Sequence, residues 1–349
     1  MKVENKPSSL GIFLITAACF VIVIAGLKAA TTIIVPFLLA IFVSVICAHP
    51  LIWLEQKGVP TILSMIIVVL AVLIIGGGLT YLLGSSINEF SKAVPSYQAR
   101  LDVIKNELIT WVNDFGFQFS LKDKKIVDSL APVDIMQFVA NLLSGVGALL
   151  SNSLLILLTV IFILLEATAL PKKISQISID PEQTMSRFQG FLTNIRNYLA
   201  IKTTISLITG LIISLWLYAL GIDFPFLWGL LAFLLNFIPT IGSIIAAVPV
   251  ILLGIIQYGP GSAVLVASGY IVVNLGLGSF IEPKFMGRGM GLSTLVVFVS
   301  LVFWGWVFGM VGMLLSVPLT MTLKIALESS EDTRWLAILL GANPAEAKK

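Results

Sequence analysis

Apolar residues gather in long runs along this chain rather than alternating with polar ones. The runs fall at about 10–27, 29–54, 61–84, 142–170, 203–221, 226–257, 262–281 and 292–323. No Asp, Glu, Lys, Arg or His occurs between Lys57 and Glu89, from Phe224 to Ile281, or from Gly289 to Leu323. One span of a bilayer needs roughly 20 apolar residues, and a buried helix of a soluble domain rarely offers more than about 14. The first gap holds one span, the second at least two, and the third one long span or two short ones. The pattern predicts an all-α polytopic membrane protein built from these eight apolar segments.

Two of the runs are too long for a single span and are broken near their middles. The run 226–257 is interrupted at Asn236, Pro239, Thr240 and Gly242, and the run 292–323 at Gly305, Gly309 and Gly312, with Pro318 beyond. Backbone left unpaired in lipid is tolerated only where protein or a water-filled cavity surrounds it. Both runs are therefore expected to be discontinuous helices or re-entrant hairpins. They also echo one another: Trp228-Gly229 matches Trp304-Gly305, and Gly242 precedes Pro249 much as Gly312 precedes Pro318. Paired interrupted helices in two parts of a chain point to a transporter's solute site. The plain alternative is that Gly and Pro are common in membrane helices.

One sizeable polar region separates the spans. Residues 85–141 carry 13 of the chain's 39 charges. Within it Ile87, Phe90, Val94, Tyr97, Leu101, Ile104, Leu108 and Trp111 recur at spacings of three and four, the seam of a helix that packs on another helix. This helix continues the third span, with a kink expected at Pro95. A second stretch with Ile126, Leu130, Ile135, Phe138 and Leu142 returns to the fourth span. The seam closes a hairpin within the chain or also meets a neighbouring subunit. Between Pro171 and Lys202, five basic residues outnumber Asp180 and Glu182. The positive-inside rule puts that stretch in the cytoplasm, the 85–141 insert outside, and both termini in the cytoplasm. The expected divisions are 1–84, the insert 85–141, 142–202, a transport region 203–327 and a tail 328–349.

Composition adds little to this and chemistry less. Of 349 residues 58% are hydrophobic and 11% charged, with a mean hydropathy of +1.05, against about 25% charged in a soluble domain. The net charge of +3 is small and scattered, so nucleic acid is not an expected partner. Cys19 and Cys47 lie in apolar runs and, with the single His49, cannot form a metal site. No phosphate loop and no nucleophile-base pair is visible, so no cofactor, no catalytic residue and no enzymatic activity are expected. Polar groups at membrane depth are few. Asn236 and Asn274 bond either a polar solute or a neighbouring helix. Ser206 and Thr209 share one face of the fifth span, where hydroxyls serve a pathway or bond back to their own helix. The ionisable residues at run ends, Glu166, Asp223, Glu282, Lys202 and Arg288, are candidates for ion coupling. Glu282, followed by Pro283 between the two broken runs, leads them; its alternative is a salt bridge with Lys284 or Arg288.

The strings LWGLLAFLLNFIPTIG (227–242), IEPKFMGRGMGLS (281–293) and GMLLSVPLT (312–320), with IVPFLLA (34–40) and KGVP (57–60), resemble the autoinducer-2 exporter family. So does the layout of three spans, a helical insert and a longer C-terminal membrane part. The resemblance covers nearly the whole chain, nearest the family's quorum-signal transport branch. It implies a bacterial inner-membrane protein that exports autoinducer-2, a small polar furanone-type signal. It also implies a homopentamer with a separate path in each subunit and re-entrant hairpins in the C-terminal part. Other branches are associated with sodium/proton antiport. The family motif falls here on Asn236, Pro239, Gly242, Glu282, Pro283, Gly287, Gly291, Gly312 and Pro318.

Three functions emerge as expectations. The first is a secondary transporter for autoinducer-2 or a similar small polar solute, whose path would run past Asn236, Pro239, Thr240, Gly242, Ser243, Asn274, Gly305, Gly309, Gly312 and Pro318. Amides and hydroxyls suit a neutral hydroxylated solute, whereas a cation path favours a carboxylate at mid-depth. The second is a cation/proton antiporter. The third is a non-transporting membrane scaffold that acts through the 85–141 insert.

Overall fold

The computed structural model describes residues 9–114, 139–145, 147, 152–167, 173, 176, 181–239, 241–286, 291–328 and 331–341. Among these residues the structure is helical, with one isolated bridge between Leu292 and Gly341. Lipid offers backbone N–H and C=O groups no partner, so spanning segments bond within themselves. Helices α1 (Ser9–Ala29), α2 (Thr31–Gln56) and α3 (Thr61–Asp114) come first. Next are α4 (Ser153–Ala167) and α5 (Pro181–Ala219). Among the described residues six helices are long and apolar enough to cross a membrane, and Leu14–Ala29, Ser153–Ala167 and Pro225–Leu235 are shorter apolar helices. The chain is an all-α polytopic membrane protein.

The two broken runs each fold back on themselves. The first gives α6 (Pro225–Leu235) and α7 (Ile241–Tyr258), joined by a turn at Asn236. At 1.5 Å per residue α6 is about 16 Å long, half of a bilayer core. Its mouth is held where α5 ends: Tyr258 Oη donates to Gly221 O at 3.0 Å, and Asp223 N donates to Gln257 Oε1 at 3.2 Å. This is hairpin 1. The second run gives α10 (Thr294–Leu314) and α11 (Ser316–Glu328). Gly309, at φ 64° and ψ −144°, breaks α10, and the chain reverses there so that Trp304 Nε1 donates to Thr320 Oγ1 at 3.0 Å. This is hairpin 2. Its mouth residues Leu292, Val317 and Met321 cluster with Ile195, Tyr198 and Leu199 of α5. Those α5 residues lie about 30 Å from Ala219 along the helix. The hairpins therefore open toward opposite ends of α5.

One glycine device closes both. A Cβ on Gly242 would collide with the carbonyl oxygen of Leu235, with Ile238 Cβ at 2.9 Å; a Cβ on Gly312 would collide with that of Trp304, with Phe308 Cβ at 2.9 Å. Gly242 and Gly312 are thus structural counterparts. The Trp-Gly echo is not. Gly229 packs on Gly210 of α5, where a Cβ would sit 2.6 Å from the carbonyl oxygen, while Gly305 packs on Met313 within its own hairpin.

Between the hairpins run α8 (Pro260–Val273), a π-helical segment (Asn274–Ile281) and α9 (Glu282–Met286). The short helix α12 (Arg334–Leu340) comes after hairpin 2. The main core centres on α6, whose Leu227, Trp228, Leu230, Leu231, Ala232 and Leu235 are buried. A helix apolar on all sides belongs in such a position. The apolar faces of α1 and the first half of α3, such as Phe20, Ile66, Leu70 and Ile74, are exposed on the single chain, as befits helices that span a bilayer.

The insert seam packs within the chain as far as it is described. Helix α3 runs unbroken through Pro95 to Asp114. Phe90 and Tyr97 are buried, and Ile87, Val94 and Leu101 lie against the same core. Phe90 meets Phe224 and Trp228 edge-on. Ile126, Leu130, Ile135 and Phe138 fall outside the described residues.

Candidate functional site

Helix α5 presents a polar stripe, Lys202, Ser206 and Thr209, at spacings of four and three, so all three lie on one side. All are buried, at 4%, 0% and 8% exposure. Each level of the stripe faces a different element. Lys202 Nζ pairs with Glu282 Oε1 of α9, with side chains 5% and 16% exposed. One turn on, Ser206 Oγ accepts a hydrogen bond from Asn236 Nδ2 at the tip of hairpin 1, at 2.9 Å. Further along, Thr209 lines a small cavity with Ile213, Ala232, Asn236, Ser243, Tyr270, Val273, Asn274 and Gly278. The cavity measures about 10 Å³, near the minimum that holds one water. The three levels form a polar column where α5, hairpin 1, α8 and the π segment meet.

The residues expected along a solute path separate into two groups. Asn236, Ser243 and Asn274 converge on the cavity. Pro239 and Gly242 form the hairpin 1 turn beside it; Thr240 lies outside the described residues. Gly305, Gly309, Gly312 and Pro318 shape hairpin 2 and are absent from the cavity wall.

The ionisable candidates also separate. Glu282 binds Lys202, from a helix 80 residues away in sequence, rather than the Lys284 partner expected; Arg288 lies outside the described residues. Lys202 borders the apolar run that begins at Thr203, yet α5 starts at Pro181 and the candidate span Leu192–Ala219 takes Lys202 in. Asp223 is a structural clasp. Its Oδ2 accepts from Tyr97 Oη at 2.7 Å and its carbonyl from Trp228 Nε1 at 3.0 Å. Glu166 pairs with Lys173, both more than half exposed. Among the described residues no group of His, Cys, Asp or Glu could hold a metal.

The reading of the residues missed Tyr270. Its ring is 6% exposed, and its hydroxyl is buried with no hydrogen-bond partner among the described residues. The available signal was a hydroxyl-bearing aromatic four residues before Asn274, on the same helix face.

The profile of the AI-2E family transporters matches residues 13–332. The chain belongs to the AI-2E transporter family. It is similar to the AI-2 transport protein TqsA of Escherichia coli K12, at 41% identity over 92% of each chain. It is also similar to a Haemophilus influenzae protein named only for transport, at 40% identity over 94% of this chain and 95% of that one. YhhT of Escherichia coli K12 is 35% identical over 96% of both. Discontinuous helices that carry polar groups at mid-membrane depth are a recurring feature of secondary transporters.

Proposed function

We propose that the protein is a secondary transporter that exports autoinducer-2 or a similar small polar solute along the polar column. The observation that carries this is the convergence of Asn236, Ser206, Thr209, Ser243 and Asn274 at the tip of hairpin 1, deep in an otherwise apolar domain. Polar groups there are costly unless they are used or paired. The name of the TqsA relative supports the solute. In this reading the protein sits in the bacterial inner membrane as a homopentamer. Both termini are cytoplasmic, and the end of α5 at Ala219, with the 85–141 insert, faces outward. Hairpin 1 then opens outward and hairpin 2 inward. Extracellular autoinducer-2 is expected to fall in a deletion strain and recover on complementation. Equal levels in the two strains would remove the proposal.

A second reading, cation/proton antiport, draws on the buried Lys202–Glu282 pair. A buried ion pair is weak support for stability, which leaves a functional role open to this one. Glu282→Gln in inverted vesicles tests this. Loss of sodium- or potassium-driven dequenching would favour antiport, and no dequenching in the parent protein would dismiss it.

A further inference from the structure

We infer that the cavity at Thr209, Asn236, Ser243, Tyr270 and Asn274 is a binding site for an uncharged, multiply hydroxylated solute, in which the Tyr270 hydroxyl bonds the solute directly. This rests on the transport reading above and assigns chemistry and residue roles within it.

Three features of the wall select the ligand. First, all five polar side chains are neutral amides or hydroxyls. The nearest fixed charges in the column, Lys202 and Glu282, neutralise one another one turn beyond Ser206. Among the described residues of this wall a carboxylate solute would meet no cation and a metal ion no carboxylate, so desolvation of either would go uncompensated. Second, hydrogen-bonding capacity is left over. Asn236 donates one bond to Ser206 and retains a second N–H and its carbonyl oxygen. Tyr270 Oη is buried without a partner among the described residues. A buried hydroxyl left unpaired costs about 1–3 kcal/mol, a cost that a solute hydroxyl would remove. Third, Ile213, Ala232 and Val273 complete the wall and suit the carbon face of a small sugar-like molecule.

The cavity as it stands has room for about one water, so the described conformation is closed around the site. One of its walls can yield without disturbing the core. Asn274 and Gly278 belong to the π segment, none of whose residues is buried. By contrast α5 and α6 are locked through Gly210 and Gly229.

The test uses the full-length protein in proteoliposomes. Radiolabelled autoinducer-2, glycerol and erythritol are compared with glycerate and erythronate, the carboxylates of matching size. The neutral solutes are expected to show saturable transport and the carboxylates none. Tyr270→Phe, which removes only the hydroxyl, is expected to raise KM about tenfold with Vmax held. Thr209→Val, on a different helix, should act in the same direction, so one poorly folded variant does not decide the result. Saturable carboxylate transport would overturn the neutral-solute assignment. Unchanged KM in both variants, with autoinducer-2 still transported, would overturn the site and leave the transport proposal standing. Transport of erythritol but not autoinducer-2 would leave the site and remove the proposed signal. No transport of any neutral solute would end both.

Discussion

Hairpins 1 and 2 share a closing device and differ in everything placed around it. Both reverse direction within the membrane thickness, and in both a glycine rides on a carbonyl of the opposite arm. Hairpin 1 has a polar tip bonded to α5 through Asn236 and Ser206, and its mouth is clasped by Tyr97 of α3 through Asp223. Hairpin 2 turns at an exposed glycine, Gly309. Helix α1 leans on its tip: Lys28 Nζ lies 4.0 Å over the Trp306 ring, and Thr31 Oγ1 of α2 donates to Val307 O at 3.2 Å. Its mouth is tied by backbone, with Ser293 N donating to Leu340 O, and by Lys324 Nζ donating to Gly291 O at 2.8 Å. The lesson is that backbone shape can repeat while chemistry does not. Only the hairpin with a polar tip meets the column.

The sharpest way to probe that asymmetry is the charge pair on the column. Lys202→Met leaves Glu282 buried and uncompensated, and about 3–5 kcal/mol of stability should be lost. The double variant Lys202→Met/Glu282→Gln should recover most of it. Thermal unfolding in detergent reads both, and a double variant no better than the single one would argue against a paired burial cost.

The shared device gives the next largest effect. Gly242→Ala and Gly312→Ala each drive a methyl into a carbonyl, a backbone clash that should cost about 3 kcal/mol or more. If the hairpins are true counterparts, the two losses of Tm should be similar. A benign result at one position alone would show that the matching contacts of Leu235 and Trp304 are not equivalent.

Chemistry should then part the two hairpins. Asn236→Ala leaves Ser206 buried and unpaired, and Trp304→Phe does the same to Thr320, so each should lose about 1–3 kcal/mol. Solute transport, measured at matched amounts of folded protein, should fall only for Asn236→Ala. Equal falls would place hairpin 2 on the path after all. The smallest effect belongs to Tyr97→Phe, which frees Asp223 at the mouth of hairpin 1. Stability should drop by about 1 kcal/mol, and amide exchange should quicken in 221–224 with hairpin 2 unaffected.

Much of the architecture was legible because lipid punishes charge and unpaired backbone. The gap from Phe224 to Ile281 announced the membrane, and Asn236, Pro239 and Gly242 inside it announced a reversal. Gly309 and Gly312 did the same for the second run. The partnerships were not legible. Glu282 and Lys202 lie 80 residues apart, and no local period links them; only the packing of α9 on α5 does. Tyr270 was hidden for a related reason. A tyrosine in an apolar run looks like any other large hydrophobe until the missing partner of its hydroxyl is seen. The Trp-Gly echo misled because equal dipeptides sit at different depths in the two hairpins. The matching of Gly242 with Gly312 comes from which carbonyl each touches.

The π segment has a mechanical consequence. A π turn bonds i to i+5 where an α turn bonds i to i+4, so Asn274–Ile281 carries a surplus residue relative to the helix before it. Expelling that residue would rotate the downstream chain by about 100°. The first residue to turn would be Glu282, whose carboxylate is seated on Lys202. A return of this segment to α geometry would thus act first on the buried charge pair beside it.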